Sequence, residues 1–147
     1  MTTKRTDAQK WSVSGAEYGL TLAGLTLNLL VRDIERSLPF YTDVLEFHDV
    51  HHDPDFAALE RDGIKLTLHA DHTYDKQPWA ERLGSPGKRG LGAEIRILGI
   101  DPDAAERRAR ERGATVLAGT RDWPHGWRDV LLEDPDGYTF AVGTALP

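Results

Sequence analysis

The chain repeats itself. The run Leu25-Thr-Leu-Asn-Leu-Leu-Val31 leads through Arg32-Asp33-Ile34 into a helical pattern, and Leu91-Gly-Ala-Glu-Ile-Arg-Ile97 leads through Leu98-Gly99-Ile100-Asp101 into another. Val31 lies over Ile97, 66 residues on. Further along, Asp62-Gly-Ile-Lys-Leu-Thr-Leu68 lies over Asp136-Gly-Tyr-Thr-Phe-Ala-Val142, 74 residues on. The growth of the offset by 8 places extra residues between the helix and last strand of the second copy. Self-similarity at a fixed spacing means one structural unit encoded twice. The halves are read as a module over 21–70 and a module over 91–145, joined by a linker over 71–90.

Each half reads as strand, helix and three strands, a βαβββ unit and an α+β fold class. In the first half, 25–31 is strand-like, and Asp33 can cap a helix running to about Glu46 with Ile34, Leu38, Tyr41 and Leu45 on one face. Pro39 falls inside that helix and removes one backbone bond. Three short strands follow over 47–52, 56–61 and 63–69, punctuated by Asp53-Pro54-Asp55 and Asp62-Gly63. In the second half, 92–98 is a strand, and Asp101-Pro102 opens a helix that Gly113 ends. Strands are expected over 114–118, 127–133 and 138–143. The linker carries Pro78, Gly84, Pro86, Gly87 and Gly90, with a short helix expected at 78–83.

Composition narrows the function classes. A chain of 147 residues fits one domain, and its 39% hydrophobic content supports a core. No apolar run approaches the roughly 18 residues of a spanning helix, so a membrane role is not expected. The net charge of −6 argues against nucleic acid, which needs a basic face. Without cysteine there is no disulfide, thiolate site or Cys nucleophile, which fits a reducing cytoplasm. Residues 1–20 lack an apolar signal core and read as a loosely held arm, with Trp11 and Tyr18 as possible anchors.

Three runs in order resemble the vicinal oxygen chelate superfamily of glyoxalase I, bleomycin resistance proteins and extradiol dioxygenases. They are Val31-Arg-Asp33-Ile-Glu-Arg-Ser37-Leu-Pro-Phe40-Tyr41-Thr-Asp-Val-Leu45-Glu-Phe47, Asp101-Pro-Asp-Ala-Ala105 with Glu111-Arg-Gly-Ala114, and His125-Gly126-Trp127-Arg128-Asp-Val-Leu-Leu-Glu-Asp134-Pro135-Asp136-Gly137. The resemblance covers 21–145. It implies curved sheets around a cup, and members that commonly pair, hence a homodimer. It also implies metal ligands near the start of each module's first strand and in its last strand. The matching residues are Thr26, Thr67, Gly92 and Ala141. None is a usual ligand for a catalytic divalent ion, so no metal and no cofactor are expected.

Strand alternation sorts the remaining residues. Leu25, Leu27, Leu29, Val31, Ala93, Ile95, Ile97, Ile64, Leu66, Leu68, Tyr138, Phe140 and Val142 should pack against the helices. Asn28, Lys65, Thr67, His69, Glu94, Arg96 and Thr139 should face the cup as ligand-binding residues, with Trp79, Trp123 and Trp127 at its rim. His48, His51 and His52 are expected on an exposed edge. His48 and His52 would share a face about 13 Å apart, too far for one ion. His72 and His125 lie in loops where they could touch ligand.

Two functions follow from this set. One is a metal-free binding protein that sequesters an antibiotic-like or other polar aromatic small molecule. The other is a glyoxalase-like lyase, isomerase or dioxygenase, using a metal on non-standard ligands or His69 and Glu94 as base and partner.

Overall fold

The computed structural model describes residues 11–147. They fall into two compact units, one of residues 11–38 with Phe47–Ser85 and the other of Pro39–Glu46 with Pro86–Pro147. Among the described residues no helix is long and apolar enough to cross a membrane.

The first unit opens with α1 (Gly15–Gly19) and continues through β1 (Leu27–Val31), α2 (Ile34–Pro39), β2 (His48–His52), β3 (Phe56–Arg61), β4 (Ile64–Ala70) and a short α3 (Ala80–Leu83). Its sheet has the order β1-β4-β3-β2. β1 runs parallel to β4, and the remaining pairs are antiparallel. The second unit has β5 (Ile95–Leu98), α4 (Pro102–Glu111), β6 (Thr115–Asp122), β7 (Trp127–Glu133) and β8 (Thr139–Ala145), in the order β5-β8-β7-β6 with β5 parallel to β8. The βαβββ unit therefore occurs twice, and the α+β class expected from the sequence is the fold.

The helix starts are local chemistry. The Asp33 side chain accepts from the Arg36 amide at 2.8 Å, and Asp101 accepts from Asp103 and Ala104. Each fills an orphan donor of a first turn. Gly113, with φ +70, ends the second helix as a left-handed cap. Pro39 does alter the first helix. After it, Phe40–Val44 widens into a π turn in which the Leu45 amide reaches the Phe40 carbonyl. Ile34, Leu38, Tyr41 and Leu45 are all buried. In the second unit the Tyr41 hydroxyl donates to Asp134 at 2.6 Å, and the Tyr41 and Phe40 rings meet Phe140. Burial raises the pKa of Asp134, and the bonds from Tyr41 and the Tyr138 amide oppose that shift.

Alternation places most of the core. Leu29, Val31, Leu66, Leu68, Ile97, Phe140 and Val142 are buried. Six of the expected packing residues depart from the pattern, Leu27 and Ile95 being half-buried at the first positions of β1 and β5. Leu25 and Ala93 precede β1 and β5, lie outside the ladders and are exposed. Ile64 sits at the first position of β4, beside the Asp62-Gly63 turn, and is 38% exposed. Tyr138 comes just before β8 and is half-buried. Leu25, Ala93 and Tyr138 lie outside the ladders because the strands begin later than the apolar runs, whereas Ile64 is exposed at the end of its own ladder.

Candidate functional site

One face of the first unit's sheet and the segment 11–22 enclose a cavity of about 680 Å³. Asn28, Thr67 and His69 line it from β1 and β4, Phe56 and His51 from β3 and β2, and Trp11, Ser14, Tyr18 and Leu22 from the N-terminal segment. The segment is fixed by its own cap. Ser14 accepts from the Glu17 amide, and Glu17 accepts from the Ser14 amide, a reciprocal capping box. That turn sets Tyr18, 7% exposed, with its hydroxyl donating to Glu60 at 3.1 Å. The Lys65 ammonium lies 5.3 Å from the centre of the Tyr18 ring and donates to the Thr21 hydroxyl.

Burial, and then the bond to Glu60, push the Tyr18 hydroxyl up to about 12 from its ordinary 10.0. Because the unfolded chain loses this proton near 10.0, the stabilisation is complete below that pH. It is lost as pH rises through about 12. The segment 11–22 should therefore loosen in alkali, and Tyr18→Phe should suppress that response. Hydrogen exchange of residues 15–22 between pH 8 and 11 measures it, and ionisation of Tyr18 at the ordinary tyrosine pH would contradict it.

A bulge decides the histidines. The register of β2 against β3 shifts between Asp49 and His51, so Asp49 pairs with Leu59 and His51 with Ala58. One extra residue reverses the parity of the strand. The expectation that His48 and His52 share a face is thus corrected, because His48 and His51 lie on the cavity face. His52 lies on the other, where it meets Asp49 at 2.5 Å. Nor is the trio simply an exposed edge. The His51 ring stacks under Trp11, centroids 4.7 Å apart and planes 2° apart, and its Nε2 meets Asp53 at 3.2 Å. Asp53 in turn accepts from the amides of Asp55 and Phe56.

The floor of the cavity is a directed hydrogen-bond network. β1 and β4 pair Asn28 with Thr67 and Leu30 with His69. Thr67 Oγ1 donates to Asn28 Oδ1 at 2.9 Å, and His69 Nδ1 meets the same oxygen at 2.5 Å. An amide oxygen only accepts, so His69 donates from Nδ1. Asn28 Nδ2 donates to the Tyr74 hydroxyl. The His69 ring is flanked by Phe56 at 4.8 Å and Tyr74 at 5.5 Å.

The other residues expected at the site are not among those that line this cavity. Trp79 is 48% exposed ahead of α3. His72 meets the buried Asp55 at 2.6 Å and lines a smaller cavity with Arg32 and Glu35. In the second unit Glu94 lies 3.4 Å from Arg96, whose guanidinium donates to His125. The Trp123 indole donates to Asp129 at 2.6 Å, under the Arg121 guanidinium. Trp127 and Thr139 pair with Ala145 and Glu133 in the β7–β8 ladder. The partner that orients His69 is therefore Asn28, and Glu94 carries an ion pair of its own. Sequence reasoning missed Trp11, Tyr18, His51, Asp53 and Phe56 as lining residues. The Ser14-x-x-Glu17 spacing was the available signal for the ordered segment.

The ladders also revise where a family metal would sit. Asn28 pairs with Thr67, and Arg96 pairs with Ala141. With the two Asp-Gly turns superposed, Arg96 is the counterpart of Asn28, and the counterpart of Thr26 is Glu94. Gly92 lies before β5 at φ +84 and holds no strand position. The four positions thus carry Thr26, Thr67, Glu94 and Ala141. One carboxylate, already paired with Arg96, and a threonine hydroxyl that donates to Asn28 do not fit a catalytic divalent ion. Among the described residues, no group of three or more His, Cys, Asp or Glu side chains could hold a metal.

A family described as "Glyoxalase-like domain" matches residues 25–143. A glyoxalase/bleomycin resistance protein/dioxygenase from Nocardioides is 25% identical and superposes with a TM-score of 0.64 over 89% of this chain and 90% of that one. One from Burkholderia phytofirmans PsJN is 21% identical, with a TM-score of 0.68 over 82% and 97%. A glyoxalase-related enzyme from Fulvimarina pelagi is 19% identical, with a TM-score of 0.66 over 84% and 88%. A search of curated proteins returned no match.

Proposed function

We propose that this chain, which belongs to the glyoxalase-like domain family, binds a small polar aromatic molecule in the first unit's cavity without a metal. The observation that carries this is the pairing of an aromatic wall (Trp11, Tyr18 and Phe56) with one compact polar patch (Asn28, Thr67 and His69). Sites for small molecules commonly combine mostly apolar walls with a few fixed polar groups. Trp and Tyr supply rigid contact area at low entropic cost. The structural neighbours from Nocardioides and Burkholderia phytofirmans are named glyoxalase/bleomycin resistance protein/dioxygenase, and sequestration of an antibiotic-like compound is the form of binding this reading favours. Binding alone performs that role, so the donor-poor positions Thr26, Thr67 and Ala141 cost it nothing.

His69 supports a second reading. Its Nδ1 donates to Asn28, which fixes the ring, and imidazole is a common general base. On that reading the chain is a metal-free lyase or isomerase that moves a proton at the His69 imidazole, positioned by Asn28 rather than by a carboxylate. Catalysis at this site would then depend on both residues.

Tryptophan fluorescence titration against aromatic and peptide antibiotics tests binding. Trp11→Ala should weaken any compound that quenches the wild type by at least about tenfold, the loss of one stacked aromatic contact and its buried area. Product formation that His69→Ala abolishes would favour the enzyme. An unchanged affinity in Trp11→Ala would remove the cavity from consideration.

A further inference from the structure

The segment that covers the cavity is fastened to the sheet through side chains. Among the described residues, no backbone-to-backbone hydrogen bond joins 11–26 to the strands beneath, and the amides of Tyr18, Leu20, Thr21 and Leu22 bond within the segment. Two fastenings hold it. One is aromatic, where Trp11 lies on His51 with the Phe56 ring 6.2 Å away. The other is polar. Glu60 and Lys65 stand opposite each other in the β3–β4 ladder. Glu60 accepts from the Tyr18 hydroxyl, and the Lys65 ammonium donates to Thr21 Oγ1 at 2.8 Å. The same ammonium lies 3.6 Å from the Glu60 carboxylate, so one cross-strand ion pair grips both Tyr18 and Thr21. Beyond this grip the chain reaches β1 through Gly24, at φ +64, and a fully exposed Leu25.

We infer that residues 11–22 form a lid that leaves the sheet as one piece, admits a ligand and closes over it, with Glu60 and Lys65 as the clasp. This rests on the binding reading above and adds how the ligand is retained. The helix inside the lid has 5 residues, far below the roughly 12–15 that hold helical structure alone in water. Once both fastenings part, α1 therefore unravels and its amides become free to exchange. The sheet keeps its ladders through this opening, because none of them runs through the segment. A ligand between the Trp11–Tyr18 wall and the Asn28–Thr67 floor makes its full contacts only with the lid closed, so it lowers the open population. Glu60 and Lys65 are not among the residues that line the cavity, so the clasp can be altered without changing the surface a ligand touches.

The test is native-state hydrogen exchange on the full chain, read by NMR at neutral pH. The amides of Tyr18, Leu20, Thr21 and Leu22 should exchange together, at least about a hundredfold faster than the ladder amides of β3 and β4. Low urea should leave their rate unchanged, since a local opening exposes little surface. Lys65→Met should speed these four amides about fivefold, the scale of one partly exposed hydrogen bond, and the ladder amides less. Indole at millimolar concentration serves as the probe ligand, with the shifts of Asn28 and Thr67 reporting occupancy. Occupied cavities should slow the four amides in proportion to indole concentration over its Kd.

Equal protection in the segment and the sheet would overturn the lid, because 11–22 would then leave only when the whole unit unfolds. So would a Lys65→Met variant whose segment and ladder amides respond alike. If indole shifts Asn28 and Thr67 without slowing the four amides, the cavity binds and the lid is wrong. If indole shifts no cavity resonance, the binding reading itself fails and this inference fails with it. Should Lys65→Met not fold, the wild-type exchange pattern and the indole response still decide.

Discussion

Replacing Phe140 by alanine should destabilise the protein by about 3–5 kcal/mol, the range for removing a buried phenyl ring. Phe140 is fully buried in β8, beside both Ile95 and Leu132 in the ladders. Its ring lies 5.5 Å from Phe40 and 5.7 Å from Tyr41. Those neighbours sit on the π turn and on the hydrogen bond to Asp134, so they cannot slide far to fill the gap. Most of the cavity term should therefore remain. Urea denaturation followed by far-ultraviolet circular dichroism measures the change in midpoint. Phe140→Leu, which keeps part of the volume, should recover part of the loss. A cost under about 1 kcal/mol for the alanine variant would mean the core collapses freely around this position.

Gly143→Ala, three residues along the same strand, should cost about 3 kcal/mol or more by the opposite mechanism, overpacking. A methyl group there would stand 2.7 Å from the Asp129 Cβ and 2.8 Å from its Cα, and closer still to the Arg128 carbonyl oxygen. These are largely backbone atoms of β7, paired to β8 in register, so no rotamer change relieves the contact. The same residue pairs with Leu98 on its other side, and its carbonyl receives the Gly99 amide at 2.8 Å. Separating β7 from β8 would therefore strain the join to β5 as well. The readout is the denaturation midpoint together with amide exchange across 127–145. If the alanine variant keeps the wild-type midpoint, the close approach of the two strands is not a constraint.

The two substitutions differ in how readable they were. Phe140 follows from alternation: along Thr139–Ala145 every second residue is apolar and large until Val142, and the buried face is plain. Gly143 carries no such signal, because a glycine in a strand reads the same whether it is tolerated or required. The site divides in the same way. Asn28, Thr67 and His69 share a face because the strand period is two, and β1 pairs with β4 in the register that puts them side by side. His51 could not be placed, since the bulge that turns it inward leaves no mark in a run of His-Asp-Val-His-His. Gly92 was mistaken for a strand position because the repeat was aligned on apolar letters, whereas the ladder aligns Arg96 with Asn28.

The order of amino acids alone determined that this protein is a doubled βαβββ chain with capped helices, alternating faces and no conventional metal ligands at Thr26, Thr67 and Ala141. Each of these depends on contacts between near neighbours or on a period of two, which the sequence writes out directly. Only the tertiary structure decided that segment 11–22 closes the cavity, that the bulge in β2 brings His51 beneath Trp11, and that the donors of Thr67 and His69 converge on Asn28. Those depend on residues about 40 positions apart meeting at hydrogen-bond distance. Such meetings are set by strand register and packing, which no local pattern encodes.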